Sequence, residues 1–178
     1  MTSERMKLVT NYLLFQLGWF ACVLGGNTIA LTSAVLVLII HLLWVGNWQH
    51  EKQLLAITVL LGCAIDSFLG NLDILQFNSS TTGSGRLLPL WLACLWLLFA
   101  TTLRHSLDWT RSHKLAGAIL GFLGGPLSYL AGTKLSDVSL AQPTWQTLLI
   151  LAVIWSLTIP LLQSFSDAWL AKQRNTDG

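Results

Sequence analysis

The sequence predicts an all-α polytopic integral membrane protein: a bundle of six transmembrane helices with both termini in the cytoplasm. Three observations predict it. Charged residues make up only 10% of the 178, and hydrophobic ones 53%, whereas soluble domains carry about 25% charged residues. Mean hydropathy is +0.62. The apolar stretches are long and do not alternate, as Leu36-Val37-Leu38-Ile39-Ile40 illustrates, which excludes a membrane β-barrel. The ten Lys and Arg residues are dispersed, so no broad basic face exists for nucleic acid.

A crossing helix needs about 20 mostly apolar residues. The candidate spans are Leu8–Gly25, Thr28–Gly46, Gln53–Gly70, Leu87–Leu107, Lys114–Ala131 and Trp145–Phe165, in a single domain covering 1–178. The first resembles a signal peptide in having Arg5 and Lys7 before an apolar run. Trp19 and Phe20 stand where small or aliphatic residues are expected, so it reads as a retained helix. With the N-terminus inside, Arg5, Lys7, Lys52, Arg104, Arg111, Lys114, Lys172 and Arg174 are cytoplasmic, and only Arg86 and Lys134 are external. That bias orients both termini inward. Trp48, Trp109, Trp145 and Trp169 fall at span ends, where indole rings favour the headgroup region.

Connections are short. A tight turn is expected at Gly26-Asn27, and the long external loop carries the polar run Asn78–Gly85, a flexible connection or a lid. A faint parallel repeat relates Asn47-Trp48 and Asp66–Leu69 to Asp108-Trp109 and Leu127–Leu130. Cys22, Cys63 and Cys94 lie within spans without a CxxC pair, and the histidines are scattered, so neither a metal site nor a cofactor is expected. No HExxH, P-loop or GxSxG motif is present.

In the fifth span Gly117, Gly121, Gly124, Ser128 and Gly132 form a smooth stripe, the kind of surface on which helices pack closely in lipid. Gly124-Gly125-Pro126 is a candidate hinge, because Pro126 frees the carbonyl of Phe122; Pro160 acts alike on Ser156. Asp66 lies deep in the third span on a face with Gly62, Cys63, Gly70 and Asp73. An acid there is expected to point into the bundle, as a proton carrier, a substrate anchor, or a neutral donor to the Phe122 carbonyl. Arg104 suits an anionic group and His105 a proton shuttle, with Asp108 as a possible ion-pair partner of Arg104. Asn11 and His41 are expected at the same depth. Tyr12, Gln16 and Trp19 share a helical face that suits either a pocket or an interhelical hydrogen bond.

Several of these residues also carry a resemblance. The blocks Asn11–Gly25, Asp66-Ser67, Pro89-Leu90-Trp91, Trp96–Ser106 and Gly124–Gly132, the last containing Tyr129, look like a bacterial inner-membrane family catalogued as domain of unknown function 2878. The resemblance implies a multi-pass location in the bacterial inner membrane. It brings no established activity. Genes of such families often lie near those for cyclopropane-fatty-acid-synthase-like and photolyase-like proteins, which implies a role in membrane lipid modification or envelope stress. The expected function is handling or binding of a lipid or small amphipathic molecule. The alternatives are a small proton-coupled transporter using Asp66 and a scaffold for a partner protein.

Overall fold

The computed structural model describes residues 2–77 and 88–176. The polar run Asn78–Gly85, Arg86 and the terminal Gly178 lie outside the described residues. Four helices are long and apolar enough to cross a membrane, the first of them within the 43 residues Ser3–Val45.

That first stretch is bent back on itself. Helix α1 (Thr2–Ile40) contains one non-helical residue, Gly26, at φ 64° and ψ −170°. Asn11 and His41, 30 residues apart, lie within 3.4 Å of each other, whereas a straight helix would hold them about 45 Å apart. The chain therefore reverses at Gly26, whose positive φ favours glycine. Thr2–Ile40 thus forms two antiparallel arms. The second arm ends in a π-helical turn, His41–Val45, closed by Gly46 N–H donating to the His41 carbonyl at 2.7 Å.

Asn47 then caps α2 (Trp48–Asn71), accepting from Gln49 N–H at 2.9 Å. The next helix is α3 (Leu90–Thr102), tied to the reversal by Trp91 N–H donating to Asn27 Oδ1 at 3.2 Å. A short helix α4 (Trp109–Ser112) leads into α5 (Lys114–Leu135) and α6 (Thr144–Thr176). Three hydrogen bonds fix the directions. Asn27 meets Trp91 at one end of the bundle, and Asn11 meets Thr101 near the other. Lys114 of α5 bonds Ser164 of α6 at 2.9 Å. Successive helical arms of the bundle therefore run in alternating directions.

Two expectations change here. The span expected over Leu87–Leu107 is regular helix only over Leu90–Thr102, about 20 Å at 1.5 Å per residue. Residues 103–108 form turns because polar side chains take their backbone groups. Thr101 and Thr102 hydroxyls donate back to the Leu98 and Phe99 carbonyls, and Gln163 Nε2 donates to the Leu103 and Leu107 carbonyls. The connections after α2 and α5, the first of them expected as a flexible connection or a lid, contain a small antiparallel ladder. It pairs β1 (Leu75–Phe77) with β2 (Val138–Leu140) in the register Leu75↔Leu140, Gln76↔Ser139, Phe77↔Val138. Apolar and polar residues alternate in both segments, and Leu75 and Leu140 pack with Leu69 and Leu151.

The core consists of inward faces only. The outward faces, such as Leu13-Leu17-Leu24, Leu115-Ile119-Leu123 and Leu149-Val153-Leu157, are exposed and apolar. A protein surrounded by water rarely shows so much apolar surface, and lipid tails are its natural solvent.

Candidate functional site: an aromatic crevice and a buried polar cluster

Glycines position the crevice. A Cβ on Gly62 of α2 would lie 1.9 Å from Trp96 Cδ2, and one on Gly125 of α5 would lie 2.3 Å from Trp155 Cγ. Both indoles therefore press against bare backbone, and they stack on each other at 4.9 Å with planes 9° apart. A Cβ on Gly121 would lie 2.1 Å from the Trp155 carbonyl oxygen. Gly117, Gly121 and Gly125 thus form the stripe that seats α6. Gly124, expected in that stripe, has nothing within 4 Å of its Cβ position. The offset is rotational: residues 117, 121 and 125 keep strict i+4 spacing, whereas 124 turns away. The expected hinge is not a break, since α5 continues through Pro126 to Leu135 and α6 continues through Pro160.

Asp66 is 0% exposed. Trp96 Nε1–H donates to its Oδ2 at 2.7 Å, and Tyr129 O–H donates to its Oδ1 at 2.5 Å. The acid is thus an acceptor that joins α2, α3 and α5, rather than a donor to the Phe122 carbonyl as expected. Two donors that would otherwise be buried without partners are available, and they take both oxygens.

Trp96, Tyr129 and Trp155 line a crevice whose lining also includes Phe15, Trp19, Trp91, Phe99 and Gly132. Trp19 bridges its two sides by donating to Ser128 Oγ at 3.1 Å. The volume of the crevice is about 70 Å³. Ordinary ligand pockets measure roughly 300–1,000 Å³, so this space takes a segment of chain, not a whole small molecule. It adjoins a larger, more polar cavity of about 410 Å³ at the Gly26 end, lined by Gly25, Gly26, Ser136 and Asp137. The two share Val23, Trp91 and Val138. The trio Tyr12, Gln16 and Trp19 does not form a pocket. Tyr12 is 53% exposed and Gln16 lies outside the lining, because the inward face of this arm runs through Asn11, Phe15 and Trp19.

A second assembly occupies the opposite end. Asn11, His41 and His105 converge there, and Glu51 lies at their centre. His41 Nε2 lies 2.7 Å from Glu51 Oε2, His105 Nε2 lies 3.0 Å from Oε1, and Asn47 N–H donates to Oε1 at 3.0 Å. The imidazole centroids are 4.9 Å apart. Gly46 makes room: a Cβ there would lie 2.5 Å from both His41 Nε2 and Glu51 Oε1. Two of the four histidines expected to be scattered therefore meet, and His41, Glu51 and His105 offer donor atoms within 4.8 Å of one another. By residue type and spacing that set could hold a zinc or iron ion. Arg104 donates to the His50 carbonyl. Asp108, the partner expected for Arg104, instead pairs with Arg111 at 3.0 Å, and Arg111 also reaches Asp167 at 3.4 Å. Partial burial disfavours the Arg111 charge, but Asp108 and Asp167 outweigh it and raise its pKa.

Sequence reasoning missed Glu51, Trp96, Trp155 and Phe15. Glu51 reads as a first-turn acid, favourable at any helix N-terminus. The tryptophans carried a usable signal, because a buried indole seeks an acceptor and Asp66 is the deep one.

No curated protein and no solved structure matches this chain. Residues 8–161 match a family model described as Protein of unknown function (DUF2878), and the chain belongs to that family.

Proposed function

We propose that the protein crosses the bacterial inner membrane six times with both termini cytoplasmic, and binds an amphipathic molecule, a lipid foremost, with its chain in the aromatic crevice. The observation that carries this reading is that a narrow aromatic slot and a more polar cavity lie side by side, sharing Val23, Trp91 and Val138 as lining. That arrangement matches an acyl or isoprenoid chain with a headgroup at Ser136 and Asp137. Lys114, Arg104 and Arg111 gather at the Asn11 end, while Lys134 lies at the other, which supports a cytoplasmic Asn11 end and an outward-facing mouth. The scaffold alternative has less support, since the glycine stripe is occupied by α6. The transport alternative needs a water path to Asp66, whose oxygens are buried and both engaged.

Gly132 provides the test. It lines the crevice, and a Cβ there meets nothing within 4 Å, so Gly132→Leu is expected to extend its side chain into the slot. Native mass spectrometry after mild extraction should find a retained lipid on the wild type and loss of most of it on Gly132→Leu at equal thermal stability. A wild type that carries nothing, or equal occupancy in both, would refute the proposal.

A further inference from the structure

Three metal-ligating side chains meet at the Asn11 end of the bundle, independently of what fills the crevice. His41 comes from the π-helical turn, Glu51 from the first turn of α2, and His105 from the turns after α3. Ten residues separate His41 from Glu51, and 54 separate Glu51 from His105, so the fold and not a local motif assembles them. The His41 and Glu51 side chains are 0% and 7% exposed, and His105, at 17%, is the ligand nearest solvent. Apolar side chains fill such space at lower cost than two imidazoles and a carboxylate. Among the described residues no Lys or Arg forms an ion pair with Glu51. Arg104 donates to the His50 carbonyl instead.

The spacing of the donor atoms selects a coordination geometry. His41 Nε2 lies 2.7 Å from Glu51 Oε2, and His105 Nε2 lies 3.0 Å from Oε1. At a metal–ligand bond of about 2.1 Å, those separations subtend roughly 80° and 90° at the ion, against about 109° in a tetrahedral site. The set therefore fits an octahedral ion held by two histidines and a carboxylate, which is the ligand set of non-haem ferrous iron. Gly46 keeps the approach clear. A Cβ there would lie 2.5 Å from His41 Nε2, 2.5 Å from Glu51 Oε1 and 2.8 Å from Oε2, so any larger residue would intrude among the ligand atoms. Asn47 N–H, donating to Oε1 at 3.0 Å, holds the carboxylate in place, as outer partners of metal ligands do.

We propose that His41 Nε2, His105 Nε2 and both oxygens of Glu51 form a labile binding site for a divalent first-row metal, ferrous iron foremost, with two positions left for water or another oxygen ligand. Asn11 accounts for the lability. A coordinating His41 carries its hydrogen on Nδ1, which needs an acceptor. The group facing it is Asn11 Nδ2, at 3.4 Å. That amide is engaged elsewhere: Nδ2 donates to the Thr101 carbonyl at 3.0 Å, and Oδ1 accepts from Ser106 N–H at 3.2 Å and Ser106 O–H at 2.7 Å. Metal uptake has to turn the amide oxygen toward His41 at the expense of these bonds, so the ion is held less tightly than in a site with a preset acceptor.

The full chain in nanodiscs, stripped with chelator and titrated anaerobically with ferrous iron or cobalt(II) against protein-free nanodiscs, tests this. One equivalent should bind and be removed again by chelator. Cobalt should show the weak visible bands of a five- or six-coordinate ion, and X-ray absorption at the iron edge should count two imidazoles. Nitric oxide should add to the iron-loaded protein, which requires an open position. His105→Gln should lose most of the affinity while unfolding at the wild-type temperature without metal, and His113→Gln should retain it. Asn11→Asp, which offers an oxygen to His41 Nδ1, should bind about 10- to 100-fold more tightly. No uptake by the wild type, the intense cobalt bands of a four-coordinate site, fewer than two imidazoles, or full affinity in His105→Gln would overturn the proposal. If His105→Gln does not fold, the imidazole count on the wild type decides.

Discussion

Replacing Gly121 by alanine adds one carbon, and the structure makes that carbon costly. Its position lies 2.1 Å from the Trp155 carbonyl oxygen, 2.7 Å from the carbonyl carbon and 3.2 Å from Ser156 N. All three are backbone atoms of α6, so no rotamer change relieves the clash. Relief requires α5 and α6 to separate by about 1 Å, which loosens dispersion contacts along the whole pair. Overpacking typically costs 1–3 kcal/mol, and we expect Gly121→Ala at the upper end of that range and Gly121→Leu beyond it. Gly124, three residues on, is the internal control. Its Cβ position is open, and alanine in a helix interior is favoured over glycine by about 1 kcal/mol. Thermal unfolding in one detergent, followed by tryptophan fluorescence, should therefore place Gly121→Ala well below the wild type and Gly124→Ala at or above it. Equal behaviour of the two variants, or a stable Gly121→Ala, would refute the assignment of the α5–α6 contact.

Other consequences follow from the same geometry. Trp96→Phe keeps an aromatic ring against Trp155 but removes a donor to Asp66, and should cost about 1–3 kcal/mol in a denaturant titration, as expected for an acceptor left short of a partner. Asp66→Asn should fold, because the Tyr129 hydroxyl can turn to accept from the new amide, whereas Asp66→Leu strands both donors and should reduce the yield of folded protein. Gly46→Ala should displace Glu51 from His41, since the added carbon would lie 2.5 Å from each. Its signature is a changed His41 nitrogen spectrum with the crevice ligand retained.

The helical, membrane-embedded character was legible in the sequence because it depends on local properties: the length of the apolar stretches and the scarcity of charge within them. Asp66 was legible for the same kind of reason, since an acid among small residues at depth must face inward. What was not legible depends on rotation and on distant partners. Whether Gly124 or Gly125 meets α6 turns on about 100° of helix phase, which neighbouring glycines leave ambiguous. Residues 103–108 unwind because Gln163, some 60 residues away, captures their carbonyls. Glu51 was hidden by an adequate local explanation, an acid in a first helical turn, and its meeting with His41 and His105 exists only once three passes are side by side.

The proposed chain-binding crevice can be tested most directly by photo-crosslinking in native membranes. A fatty acid with a diazirine near its terminus is fed to cells, incorporated into lipid and activated, and adducts on the purified protein are mapped by peptide mass spectrometry. Adducts should concentrate on Phe15, Trp19, Trp91 and Tyr129, and Gly132→Leu should remove them. Labelling confined to outward residues such as Leu115, Ile119 and Leu123, with none in the crevice, would contradict the account.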